Sequence, residues 1–101
     1  MPIYENRDRR IIYKYKIEIT DLYQIAMPEG AKIIKFGKQA GDYFIWAMVN
    51  PDKALVVRRF RIVGTGNSVE GSFLYANVHI DSWIETDGPY VWHLFENTKA
   101  C

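Results

Sequence analysis

The sequence predicts an all-β domain, about seven strands in antiparallel meanders that form a small sandwich or a partly open barrel, with at most one short helix. Three observations carry this expectation. Residues 10–20 alternate apolar and polar side chains over a full strand length. Short runs rich in β-branched and aromatic residues recur between turn formers. No window longer than about ten residues spaces its apolar positions for a capped helix.

The elements follow in order. In RIIYKYKIEIT, Ile11, Tyr13, Tyr15, Ile17 and Ile19 face one way and Lys14, Lys16, Glu18 and Thr20 the other. LYQIAMP continues as a second strand, and PEG ends it, since Pro28 stops pairing and Gly30 permits positive φ. Residues 31–39 read as a third strand. YFIWAMV places apolar residues at both parities, the pattern of a central strand covered on both faces. NPDK, Asn50 to Lys53, has the composition of a type I turn, which predicts ALVVRRFRIV as the partner of the preceding strand. Residues 72–80 and 89–96 supply two more strands, and the helix, if present, is expected at residues 81–86. Residues 1–9 read as an arm, 10–97 as the single domain and 98–101 as a tail.

Composition narrows the class. The 101 residues, 49% apolar and 15% aromatic, provide one modest core. A single cysteine, Cys101, rules out an intrachain disulfide and fits a reducing compartment. The longest apolar run, Phe44 to Val49, falls far short of the roughly 20 residues of a membrane helix, and the charged N-terminus does not read as a signal peptide, so a cytoplasmic protein without membrane contact is expected. Net charge is +1, which gives no general reason to expect specific nucleic-acid binding. Its distribution is uneven: residues 1–61 hold twelve basic and seven acidic side chains, residues 62–101 one basic and five acidic. Either the two halves interleave and neutralise one another, or they leave a positive pocket or a head-to-tail subunit contact.

The strongest chemical signal is RFRIVGTGN. Period two puts Arg59 and Arg61 on one strand face as a guanidinium pair, with Arg58 opposite, and the loop from Gly64 to Asn67 could add backbone N–H groups and the Thr65 hydroxyl around a phosphate. The loop lacks a P-loop pattern, and GTG also occurs in ordinary hairpins. His79 and His93 fall on adjacent strands, where they serve as hydrogen-bonded side chains or ligand contacts; no third ligand at metal spacing accompanies them, and neither metal nor cofactor is expected. Trp83 lies in a turn-rich connection, where a large ring covers a core edge, joins an interface or stacks on a base. No serine elbow, reactive cysteine or paired carboxylate is visible, so a non-enzymatic protein is expected.

Taken together, IYKYKIEITDLYQIAMPEGAKII, WAMV, RFRIVGTG and VWHLFE resemble, in the same order, a family of short phage- and prophage-encoded proteins catalogued as a domain of unknown function. The likeness runs from about Ile12 to Glu96. It implies a setting, the infected host cell, and no ligand-binding residues. In that setting the expectation is an oligomeric binding protein that counters antiphage defence, in its most concrete form by sequestering a host nucleotide signal through Arg59, Arg61, Thr65, Asn67, Trp83 and His93. The rival expectation is a protein-interaction module without a small ligand, an inhibitor of a host defence protein or a phage assembly component.

Overall fold

The computed structural model describes residues 9–86 and 88–98. The arm up to Asp8, Asp87 and the tail from Lys99 to Cys101 lie outside the described residues. Among the described residues seven strands and one helical turn are formed: β1 (Ile11–Ile17), β2 (Tyr23–Pro28), β3 (Lys32–Gln39), β4 (Asp42–Val49), β5 (Leu55–Gly64), α1 (Phe73–Ala76), β6 (Asn77–Ile84) and β7 (Val91–Asn97). They build two antiparallel sheets, β1-β4-β3 (sheet A) and β2-β5-β7-β6 (sheet B). Of the two all-β forms the sequence allows, a small sandwich or a partly open barrel, this is the sandwich. No described helix is long and apolar enough to cross a membrane.

Alternation along each strand decides which side chains enter the core. Ile17, Phe36, Ile45, Ala47 and Val49 from sheet A meet Ile25, Met27, Phe60, Ile62 and Leu94 from sheet B, all buried in one cluster. Arg58 shares the inner face with Phe60. Its guanidinium forks onto Glu96 of β7, Nε to Oε2 at 2.7 Å and Nη2 to Oε1 at 2.8 Å, and also donates to the Ala31 carbonyl.

Three expectations are corrected. β4 is central in sheet A, but β5 is not its partner, because β1 and β3 already fill both of its edges. The NPDK turn does form, with Asn50 Oδ1 accepting the Asp52 N–H at 2.9 Å, yet it sends the chain across to sheet B, where β5 pairs with β2 and β7. The outer face of β4 is also not covered by a second layer: Phe44 and Trp46 are half-buried there and Met48 is exposed. Finally, the helix stands at residues 73–76 instead of 81–86. Ser82, Trp83 and Ile84 pair with His93, Trp92 and Val91, so the connection read as helical extends β6.

The sheets are joined at one border. β6 carries a bulge between His79 and Asp81, and there the Asp81 carboxylate accepts the Phe36 N–H of edge strand β3 at 3.0 Å. An edge amide is thereby satisfied by a side chain of the other sheet.

Candidate functional site

The outward face of sheet B carries Arg59, Arg61 and Val63 of β5 opposite Asn97, Phe95 and His93 of β7. The chain after β5 folds back over this face. α1 is a single turn, and what holds it is Phe73, buried, with its ring edge-on to Phe95 at 4.8 Å. Against the loop is a pocket of about 340 Å³ whose lining combines Thr65, Asn67 and His93 with the apolar Val69, Leu74 and Phe95. The two glycines of GTG serve different purposes. A Cβ at Gly64 would meet Asn67 Nδ2 at 3.0 Å and the Trp92 ring at 3.1 Å, whereas Gly66 has φ of +91°, a conformation other residues rarely adopt.

A polar chain runs out of the pocket along the sheet. Thr65 Oγ1 lies 2.7 Å from His93 Nε2, His93 Nδ1 lies 2.7 Å from Ser82 Oγ, and Ser82 Oγ lies 2.8 Å from His79 Nε2. Both nitrogens of His93 are therefore held, and its ring is fixed at the pocket wall. A hydroxyl between two imidazoles can accept from one and donate to the other, so the tautomer of each ring is coupled to its neighbour's.

Three of the six residues singled out from the sequence, Thr65, Asn67 and His93, converge on this pocket. Arg61 stands at its margin: the guanidinium lies 4.6 Å over the Phe73 ring and Nη1 donates to Glu70 at 2.8 Å. That contact holds the Glu70 carboxyl below the ordinary carboxylate range. Arg59 is further along the strand, about 13 Å from Val63 at ~3.3 Å per residue. Trp83, next to Ser82 in an extended strand, belongs to the other face of β6, where it packs on the core and meets Tyr43 edge-on at 6.1 Å.

The expected anion nest is corrected in one respect. The Thr65 N–H donates to the Val91 carbonyl at 3.0 Å and the Asn67 N–H to the Gly64 carbonyl at 3.0 Å, so these two amides hold the loop together. What the loop offers a ligand is side-chain chemistry, a hydroxyl and an amide. The proximity of His79 and His93 across adjacent strands is as expected, but what joins them is Ser82. That serine escaped sequence reasoning, as did Phe73 and Leu74, which were read as strand. Among the described residues no group of three His, Cys, Asp or Glu could hold a metal ion.

On the other side of the loop, Thr65 and Asn67 also line a narrower cleft of about 250 Å³ with Tyr90 and Trp92, whose rings stack at 5.4 Å. The GTGN segment is thus a turn with side chains presented to two recesses. No curated protein matches the chain, and no solved structure does. The order of strand, GTG turn and closing aromatic strand that builds this site falls wholly inside residues 8–100, which match a domain of unknown function, DUF7352, and the chain belongs to that family.

Proposed function

We propose that this protein is a non-enzymatic binding protein that takes up a nucleotide signal in the pocket between the GTGN loop and α1. The observation that carries the reading is the convergence of Thr65, Asn67 and His93 on one recess of about 340 Å³ that is otherwise lined by apolar side chains. That size is at the lower end of small-molecule sites, about 300–1,000 Å³, and the mixture of a few polar groups with an apolar wall is the usual one. The apolar lining of Val69, Leu74 and Phe95 suits a base; the Thr65 hydroxyl and the Asn67 amide suit its polar edge and the sugar, with the His93 ring, both of its nitrogens engaged, as a fixed surface beside them. Arg61 at the margin suits a phosphate, which would take the place of the Glu70 carboxylate.

The hydrogen-bond chain supports binding over catalysis. Thr65 beside His93 has the outline of a nucleophile and base, but the second nitrogen of His93 is held by a neutral serine where a carboxylate would steady the imidazolium. The setting rests on the resemblance to phage and prophage proteins: a phage product that sequesters a nucleotide messenger would blunt a host defence that depends on it.

Native mass spectrometry of the protein from a defence-active host, before and after mixing with a nucleotide pool, tests this. The expected result is an added mass that denaturation releases as an intact nucleotide. Thr65→Val and Arg61→Ala should each weaken binding about tenfold, as for the loss of a hydrogen bond to a charged or polar ligand group. Glu70→Gln should strengthen it, because Arg61 then no longer has a carboxylate to exchange. Unchanged affinity in all three variants overturns the assignment.

A second reading is favoured by α1 itself. Tyr75, which does not line the pocket, is 75% exposed, and Leu74 beside it at the pocket's edge is 76% exposed. A protein partner that covers them would make this face an interface. Its mark is co-purification of a host or phage protein without any nucleotide, lost in Tyr75→Ser.

A further inference from the structure

We propose that the outer face of sheet A binds single-stranded nucleic acid without sequence preference, a surface separate from the pocket on sheet B. The register arranges this face in cross-strand rows. Lys14 of β1, Trp46 of β4 and Lys35 of β3 form one row; Lys16, Phe44 and Gly37 form the next; Ile12, Met48 and Lys32 form the third. Aromatic and apolar side chains therefore run down the central strand, with lysines on both flanks. Four lysines, Lys14, Lys16, Lys32 and Lys35, and one aspartate, Asp42, which lies 3.8 Å from Lys16, share this face, while Lys38, opposite Tyr43, pairs with Glu85 at 2.7 Å. The uneven charge of the sequence is realised here as a local basic face on a chain of net charge +1.

A second ring is brought to the same face from the other sheet. Gly37 has no side chain, and the Trp83 indole of β6 lies against it, with Nε1 at 3.5 Å from where a Cβ would be. Trp83 and Trp46 thus line one open cleft of about 350 Å³, together with Lys35, Lys38, Ile12 and Ile34. Two indoles with lysines on the strands flanking Trp46 supply what a single strand needs: π-faces on which unstacked bases lie and cations for the backbone. Lysine columns two strands apart are separated by ~9.5 Å and successive rows by ~6.7 Å, so a strand running along β4 passes a cation at each step. A duplex offers no free base faces to the indoles, and an acidic peptide would engage the lysines without using the rings. Lys14, over Phe44 at 4.5 Å, is already held in the position of a ring-side cation.

The test is fluorescence anisotropy of a short labelled oligothymidylate, with tryptophan quenching followed in parallel, at several salt concentrations. Binding is expected at low salt, with log K falling against log salt at a slope of about −2, as for three lysines at about −0.7 each. Lys14→Ala with Lys35→Ala, both on exposed positions, should lower affinity about tenfold and flatten the slope, while Lys53→Ala at the NPDK turn should change neither. Trp46→Leu should weaken binding about tenfold at unchanged slope, the signature of lost stacking. Thr65→Val, a change in the sheet B pocket, should leave oligonucleotide binding intact. The proposal is overturned by no anisotropy change at low salt, by duplex DNA or polyglutamate competing as well as the single strand, or by the lysine double variant binding like wild type.

Discussion

Glu85 accepts hydrogen bonds from Lys38 Nζ at 2.7 Å, Tyr43 Oη at 3.1 Å and Trp92 Nε1 at 3.1 Å, and so ties β3, β4 and β7 to the end of β6. The Lys38 ammonium first, then the Trp92 N–H, hold its carboxyl below the ordinary range despite its burial. A carboxylate with a depressed folded pKa adds stability that is complete above its unfolded pKa, about 4.3, and is lost as pH falls through the folded value. Glu85→Gln should therefore be less stable than wild type at neutral pH, and the gap should close as the solution is acidified; urea midpoints of both proteins at neutral and acid pH check this. Arg58 and Glu96 pose a different case, since both are below one-fifth exposed. Glu96→Ala leaves a guanidinium inside the sandwich without its fork and should cost about 3 kcal/mol, whereas Arg58→Met with Glu96→Leu should cost far less, because apolar residues of similar volume replace a pair whose desolvation offsets much of its attraction. Denaturant unfolding of the single and double variants distinguishes the two outcomes.

At the scale of elements, two carboxylates tie β6 to sheet A, Glu85 at its end and Asp81 at its bulge. Asp81 Oδ2 takes the Phe36 N–H while Oδ1 takes the Ser82 N–H, and the bulge before it turns the carboxylate towards β3. Asp81→Ala should cost about 1–3 kcal/mol for the unsatisfied amide, and amide exchange at Phe36 should quicken more than at Ile45 in the centre of sheet A. The strands themselves were largely legible: β1 from alternation, and β4 from its apolar run, which gave its central place but not its partners or its open outer face. What alternation does not encode is partner choice. A type I turn predicts a hairpin locally, but β4 has two edges, and distant β1 and β3 take both. The helix was misplaced for a related reason. SFLYAN has strand-like composition, and only the ring of Phe95, brought underneath by β7, makes one helical turn the better way to bury Phe73. In the candidate site, Thr65 and Asn67 stood out because they belong to the glycine loop after the arginine strand, and His93 because it falls on the strand next to that of His79; Ser82, an ordinary residue in sequence, acquired its place between the histidines only through the β6–β7 register.

For the molecule as a whole, the two sheets have one core and should unfold together. Phe36 of sheet A and Phe60 of sheet B are both fully buried in the same cluster, and neither sheet has a second layer of its own to pack against. The short outer cluster around Phe73 serves α1 and does not bridge the sheets. Truncating either ring to alanine should cost about 3–5 kcal/mol, a large part of the 5–15 kcal/mol typical of a domain. The loss should reach both sheets equally in spite of where the ring originates. Tryptophans supply a reporter in each layer: Trp46 on the open face of sheet A and Trp92 beside Glu85 in sheet B. In variants that keep one of them and carry phenylalanine at the other tryptophan positions, fluorescence in urea should give coincident transitions, and Phe60→Ala should move the Trp46 transition as far as the Trp92 one. Separate transitions would mean that sheet A holds together without sheet B. That result would assign the stability of the basic face to its own three strands, which the shared burial of Phe36, Ile45 and Phe60 argues against.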